Sequence, residues 1–284
     1  MGRVVSAYWQ QVVQRGRVVP PDRPLDELTA ELGTMLGDPN PRVREEISLA
    51  TLGVWINEGV YDELLTGLGD GICVGLGIGL GERDTDLVFR RSYSALVLAE
   101  CIDRDTRMRL VSEDVLLGWG DRLSSWFVRE QDLRGFIPGS GWAHSIAHGA
   151  DAMAALARSP HFGANELTVV LDVIADRLLL PTEEFWVAGE PDRLAAAVVQ
   201  VLRRDLLGIK LLEPWLARLG ARAIPRGNYD EHPYHVSGNV QAFLRALQLQ
   251  VSLGKPQPDV RSDFLLALAE QLRLSNAAYL GPRD

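Results

Sequence analysis

The stretch LGDPNPRVREEISLATLG, residues 36–53, decides the fold. Asn40 and Pro41 have the chemistry of a helix start: the asparagine offers a side-chain acceptor, and the proline has no N–H to leave unsatisfied. Asp38 precedes them, and Val43-Arg44, the small residue Ser48 and Leu52-Gly53 follow. Forty-six residues on, FRRSYSALVL (89–98) echoes VREEISLATL (43–52) through Arg44/Arg90, Ser48/Ser94 and Leu52/Leu98. A period of that length predicts a pair of helices per copy, stacked on the next pair.

The first copy resembles the second-helix signature of HEAT repeats, in which the aspartate and the arginine tie neighbouring loops and helices together. The spacing falls within the roughly 40–47 residues of HEAT or armadillo units. Working outward, helical periodicity cut by proline and glycine predicts further helices at 25–36, 41–59, 85–102, 112–130, 141–158, 164–180, 190–207, 239–253 and 260–274. At the N-terminus Val4, Val5, Tyr8, Trp9, Val12 and Val13 form one apolar stripe. No run of alternating strands stands out. The expected fold is all-α: a compact, HEAT/armadillo-like α-solenoid, a right-handed stack of antiparallel helix pairs with one concave face, forming a single domain over residues 1–284.

Bulk composition narrows the function. Of 284 residues, 46% are hydrophobic and 24% charged, which fits a folded globular chain with an ample core. A net charge of −9 argues against nucleic-acid binding. Basic residues are almost all arginine, Lys210 and Lys255 being the only lysines. Cys73 and Cys101 form no CxxC pair, so neither a disulfide framework nor a thiolate zinc site is indicated. No apolar run approaches the roughly 18–20 residues that cross a bilayer, and MGRVVSAYW has no signal-peptide pattern. Gly2 and Ser6 match a myristoylation pattern that is expected to be chance. The expected compartment is the cytoplasm, with no membrane partner.

One polar constellation stands out. In GWAHSIAHGAD (141–151), with Ser140 as cap, His144, His148 and Asp151 follow at intervals of four and three, within an arc of about 60° on one helix face. Two imidazoles at i, i+4 can share a divalent metal ion. Asp151 lies too far along the helix to join them and is expected to orient His148 instead. A third ligand must come from elsewhere: Asp132 or Glu130 in REQDLRG, or Asp230, Glu231, His232 or His235 in NYDEHPYH. Arg134 can pair with Asp132 or hold an anionic group. The opposing reading is a buried polar network that fixes helix register.

Other motifs carry less. The glycine-rich 67–83 segment lacks both the GK[ST] ending and the preceding strand of a phosphate loop, so close helix packing or an irregular loop is expected. Arg90 and Arg91 are expected to make ion pairs between repeats. DLRGFIPGSGW (132–142) reads as a tight connection that can also lid a pocket over His144. His232 and His235 have metal-compatible spacing only in a turn, and His161 is expected in a solvated loop. The seven tryptophans, including Trp55, Trp119, Trp126, Trp142, Trp186 and Trp215, sit at core-like positions and form no stacking stripe for nucleic acid. No GxSxG elbow or Cys–His pair is visible.

From about Ser6 to Leu253 the order of motifs resembles the bacterial family known as domain of unknown function 2785. The similarity rests on SAYWQQVV, PRVREEISLATLGVWI, VFRRSYSALVLA and, above all, EQDLRGFIPGSGWAHSIAHGADAMAALARSP (130–160). It implies an α-helical, armadillo-like protein and no particular reaction. The matching polar set here is Asp132, Arg134, Gly135, Gly141, Trp142, His144, His148 and Asp151.

Two functions remain open. In the first, His144 and His148, with Asp132 where a metal is held, serve a metal-dependent or acid–base enzyme acting on a small molecule; Asp151 orients His148 and Arg134 grips an anionic substrate group. In the second, a non-catalytic scaffold binds a protein partner, and the His/Asp cluster is structural.

Overall fold

The computed structural model describes residues 7–225 and 232–280. The described residues are all-α apart from a two-stranded hairpin, and the helices stack side by side within two compact units, residues 1–155 and 156–284. Val4, Val5, Gly2 and Ser6, as well as Asp230 and Glu231, lie outside the described residues.

In the first unit, α1 (Ala7–Gln14) buries Trp9 and Val12. Helix α2 (Leu25–Met35) packs on the segment that follows Asn40 and Pro41. Asn40 starts that segment as expected, its Oδ1 accepting from Arg42 N at 3.1 Å. The chain is then π-wound over Arg42–Leu49 and continues as α3 (Ala50–Asn57), burying Val43, Ile47, Leu52, Trp55 and Ile56. The glycine-rich segment resolves into α4 (Leu65–Leu76) followed by turns. Two of its glycines are spacing devices: a Cβ on Gly69 would overlap the Trp119 ring, and one on Gly75 would overlap Ser94 Oγ. Helix α5 (Leu87–Met108) runs through the middle of the unit, packed against α3, α4 and α6 (Glu113–Arg129). The fully buried Asp105 closes its end, Oδ1 accepting from Leu110 N (2.7 Å) and Val111 N (2.9 Å).

Strands β1 (Phe136–Ile137) and β2 (Gly141–Trp142) then form a hairpin where no strand was expected, and α7 (Ser145–Arg158) follows. The reason is local. Gly139 (φ +84°) and Gly141 (φ +81°) adopt left-handed backbone, which glycine alone enters without steric cost, and this folds the connection back on itself.

The second unit contains α8 (Ala164–Leu179), α9 (Glu190–Leu202), α10 (Ile209–Ala223), α11 (His235–Leu253), α12 (Arg261–Ser275) and the short α13 (Ala277–Leu280). Helix α11 packs against α9, α10 and α12. Helix α10 was not anticipated, because Pro214 lies inside it and argues against a helix there. Burial of Leu212, Trp215, Leu216 and Leu219 on one face outweighs the lost backbone bond.

Candidate functional site

The conspicuous block 130–151 is built around the hairpin. Phe136 stands opposite Trp142, and the ladder continues past the strands through Ala143 N to Gly135 O (2.9 Å) and His144 N to Arg134 O (3.1 Å). His144 itself has φ +51°, an uncommon value outside glycine, although histidine enters this region more often than most residues. Its carbonyl accepts from His148 N at 2.9 Å, so His144 stands at the cap position of α7. The helix expected from Gly141, capped by Ser140, therefore begins at Ser145, and the two imidazoles do not leave a shared helical ridge. The backbone of residues 143 and 144 is already committed to the hairpin, which postpones the helix.

Three side chains from elsewhere in the unit grip this connection by its carbonyls. Arg44 Nη2 donates to Ser140 O (2.7 Å) and to Glu45 Oε1 (2.8 Å), while Nη1 donates to Asp38 O (2.8 Å). Its fully buried guanidinium lies over the rings of Phe89 (4.0 Å) and Tyr93 (4.8 Å), a cation–π sandwich. Tyr93 Oη is 2.7 Å from Glu45 Oε1 and 3.1 Å from Trp142 O, and burial raises this phenol above its ordinary value. Ser92 Oγ donates to Ala143 O and stands 2.6 Å from His148 Nδ1.

The carbonyl contact of Ser92 bears on the tautomer of His148. A carbonyl can only accept, and a serine has one hydroxyl hydrogen, which goes to Ala143 O. His148 Nδ1 must then carry its own hydrogen and donate to Ser92 Oγ. A serine beside a histidine suggests a nucleophile and its base, but here the serine is fully buried. Both imidazoles are close to fully buried, His144 at 8% and His148 at 5% exposure. His144 stacks on the indole of Trp142 with 4.2 Å between centroids. His148 meets Tyr93 edge-on at 4.9 Å and His144 at 5.9 Å, the two imidazole planes being 78° apart.

The carboxylates nearby are engaged. Asp132 accepts from Arg134 Nε (2.8 Å) and Nη2 (2.6 Å) in a bidentate pair, and from Asp84 N (3.0 Å). The hydrogen bonds with Asp132 raise the Arg134 guanidinium above its ordinary value. Arg134 Nη2 also donates to Thr85 O (2.9 Å), and Ser145 Oγ donates to Asp132 O (2.6 Å). Glu130 takes Arg91 Nε (2.5 Å) and Nη2 (2.8 Å), Trp126 Nε1 (2.9 Å), Gln131 N (3.0 Å) and Asp132 N (2.9 Å). Among the described residues, no group of three or more His, Cys, Asp or Glu side chains is arranged to hold a metal ion. Asp132 is thus not brought into a three-ligand set with His144 and His148, its carboxylate being turned to Arg134 and the Asp84 amide.

Asp151 stands half-buried on α7, three residues past His148. His232 and His235 belong to the second unit, where they stack on each other at 4.6 Å and both meet the Phe185 ring. His161 is half-buried rather than solvated. Cys73 and Cys101 are buried free thiols, and burial pushes Cys73 up to about 11. The residues that sequence reasoning left out of the site are Arg44, Glu45, Ser92 and Tyr93. The signal existed, because all four lie within the two repeat-like stretches, but nothing in their spacing says that they close on a loop near residue 140.

No helix of the described residues is long and apolar enough to cross a membrane. A family profile described as "Protein of unknown function (DUF2785)" matches residues 76–249, more than half of the chain. The chain belongs to that family, as the resemblance of block 130–160 implied. No curated protein and no solved structure gives a significant match.

Proposed function

We propose that this chain is a non-catalytic, HEAT/armadillo-like scaffold that binds another protein, and that its His144, His148, Asp132 and Arg134 group braces the hairpin instead of performing chemistry. One observation carries this reading: the fully buried Ser92 hydroxyl lies between Ala143 O and His148 Nδ1, with its only proton spent on the carbonyl. A general base needs a reachable proton, and a nucleophile needs a reachable lone pair and an accepting base. Asp132 and Arg134 satisfy each other, which leaves little of either for a substrate.

A binding role is favoured over an inert one by apolar surface left uncovered. In the second unit Val187, Leu249 and Leu253 are 88%, 55% and 72% exposed. They flank two clefts of about 390 and 410 Å³ that share Leu249. Exposed apolar side chains grouped along clefts suit the docking of a protein partner. The acidic net charge makes a protein the fitting partner, not a nucleic acid.

Metal analysis of the purified protein, together with His148→Ala, tests this reading. It expects no stoichiometric metal, no saturable zinc or manganese binding, and a loss of stability of roughly 1–3 kcal/mol in the variant. Stoichiometric metal that disappears in His148→Ala at an unchanged melting temperature would reverse it in favour of the metal-dependent enzyme.

A further inference from the structure

The tandem arginines of α5 have different fates. Arg91 meets Glu130 through both ends of its fork and donates to the carbonyls of Ile78 and Gly79. Arg90 forms no hydrogen bond or ion pair with any described residue, and its Nε and Nη1 are shielded from solvent without an acceptor. Burial lowers the Arg90 guanidinium from its ordinary value, and no carboxylate opposes that effect. Other arginines of the same unit show how such a charge is normally met: Arg44 has Glu45 and two carbonyls, Arg104 has Asp62, and Arg134 has Asp132. Even partial withdrawal of a cation from water costs free energy when no counter-charge faces it.

The surroundings of Arg90 are shaped as well as unpaired. Glycines from three places face it. The Cβ position of Gly33, on α2, lies 3.6 Å from both Nη1 and Nη2; that of Gly37, beyond the end of α2, lies 3.1 Å from Arg90 Cβ; that of Gly75, on α4, lies 2.9 Å from Nε. A Cβ on Gly37 would press on the Arg90 stem and one on Gly75 on its Nε, while one on Gly33 would meet the guanidinium at ordinary contact distance. A second polar group points at the same place. Ser94, one turn along α5, is fully buried, its Oγ has no hydrogen-bond partner, and it too abuts the Cβ position of Gly75. An unmatched cation and an unmatched hydroxyl therefore both lie against Gly75 of α4, with Gly33 and Gly37 beside the rest of the arginine.

We propose that Arg90 and Ser94 form a binding site for a tetrahedral oxyanion, a phosphate ion or the phosphate group of a small ester. A guanidinium edge takes two oxygens of such an anion in parallel, and the serine hydroxyl donates to a third. A carboxylate has no third oxygen to offer. The Arg90 side chain is only half-buried, which leaves part of it within reach of solvent ions. The anion supplies the counter-charge that the fold does not, so the first unit is more stable with phosphate than without it. This site is separate from the His148 network and does not depend on the scaffold reading.

The test is calorimetric titration and thermal unfolding of the full chain, in buffers matched for ionic strength with chloride, using inorganic phosphate, phenyl phosphate and acetate. Wild type is expected to bind one phosphate group per chain and to melt higher in its presence, with acetate at least ten-fold weaker. A response to phenyl phosphate equal to or above that of the free ion identifies an ester as the ligand; a response to the ion alone identifies phosphate itself. Arg90→Met is expected to lose the response and, without phosphate, to melt no lower than wild type, because an unpaired buried charge is gone. Ser94→Ala removes a hydroxyl that has no internal partner and is expected to fold normally while weakening phosphate several-fold. No phosphate response in wild type, or an undiminished response in both variants, would overturn the proposal.

Discussion

Replacing Ser92 by alanine puts the brace around the hairpin to its most specific trial. The hydroxyl serves two buried groups, donating to Ala143 O and accepting from His148 Nδ1, and alanine serves neither. Each buried group deprived of its partner costs about 1–3 kcal/mol. The better helix propensity of alanine returns roughly 0.5 kcal/mol, and a water occupying the vacated space trims the loss further. The expected net destabilisation is about 2–4 kcal/mol, a large part of the roughly 5–15 kcal/mol that holds a typical domain folded. Urea unfolding followed by tryptophan fluorescence reads it as a lower midpoint at unchanged slope. In a double-mutant cycle Ser92→Ala and His148→Ala should couple by about 1 kcal/mol or more, because each removes a partner of the other. A Ser92→Ala protein within about 0.5 kcal/mol of wild type, with no coupling to His148, would refute the proton assignment and the brace with it.

Four further outcomes follow from the same geometry. Glu130→Gln leaves the buried Arg91 without its counter-charge and should destabilise the first unit by about 3–5 kcal/mol in urea unfolding. A Cβ on Gly149 of α7 would overlap the Phe127 ring of α6, so Gly149→Ala should cost about 1–3 kcal/mol despite its better helix propensity. Hydrogen bonds from Arg104 hold the Asp62 carboxyl below its ordinary value. Its contribution is therefore complete above the unfolded carboxylate value and fades as pH falls through the lower folded one. The stability gap between wild type and Asp62→Asn should accordingly shrink below about pH 4. With its thiol raised to about 11, Cys73 should resist alkylation at pH 8 in the native protein and react once urea unfolds it.

The helical architecture was legible because its signals are local. Asn40-Pro41 starts a helix wherever it occurs in such a context, and the apolar periodicity of 85–102 and 112–130 maps onto α5 and α6 with ends moved by a few residues. The start of α7 was misread for an equally local reason of opposite sign. The small residues of 141–151 fit a helix, and the two positive-φ glycines that make a hairpin were read only as a tight turn. The two rings still meet edge-on at 5.9 Å, but with His144 in left-handed backbone ahead of the helix they do so without sharing a helical ridge. Helix α10 escaped because Pro214 is a strong local signal that long-range packing of Trp215 and Leu219 overrules. The division of labour between Arg90 and Arg91 was out of reach, because it depends on Glu130, 39 residues away from Arg91, and on which side of α5 faces the glycines of α2 and α4.

The direction of one hydrogen bond separates a brace from a catalytic pair, and nitrogen NMR of the His148 ring observes it directly. The account expects the hydrogen on Nδ1, protected from exchange by burial, with a signal that changes in Ser92→Ala. A ring protonated on Nε2, with Nδ1 accepting from Ser92, would place the serine proton on a base as hydrolytic enzymes do and contradict the account.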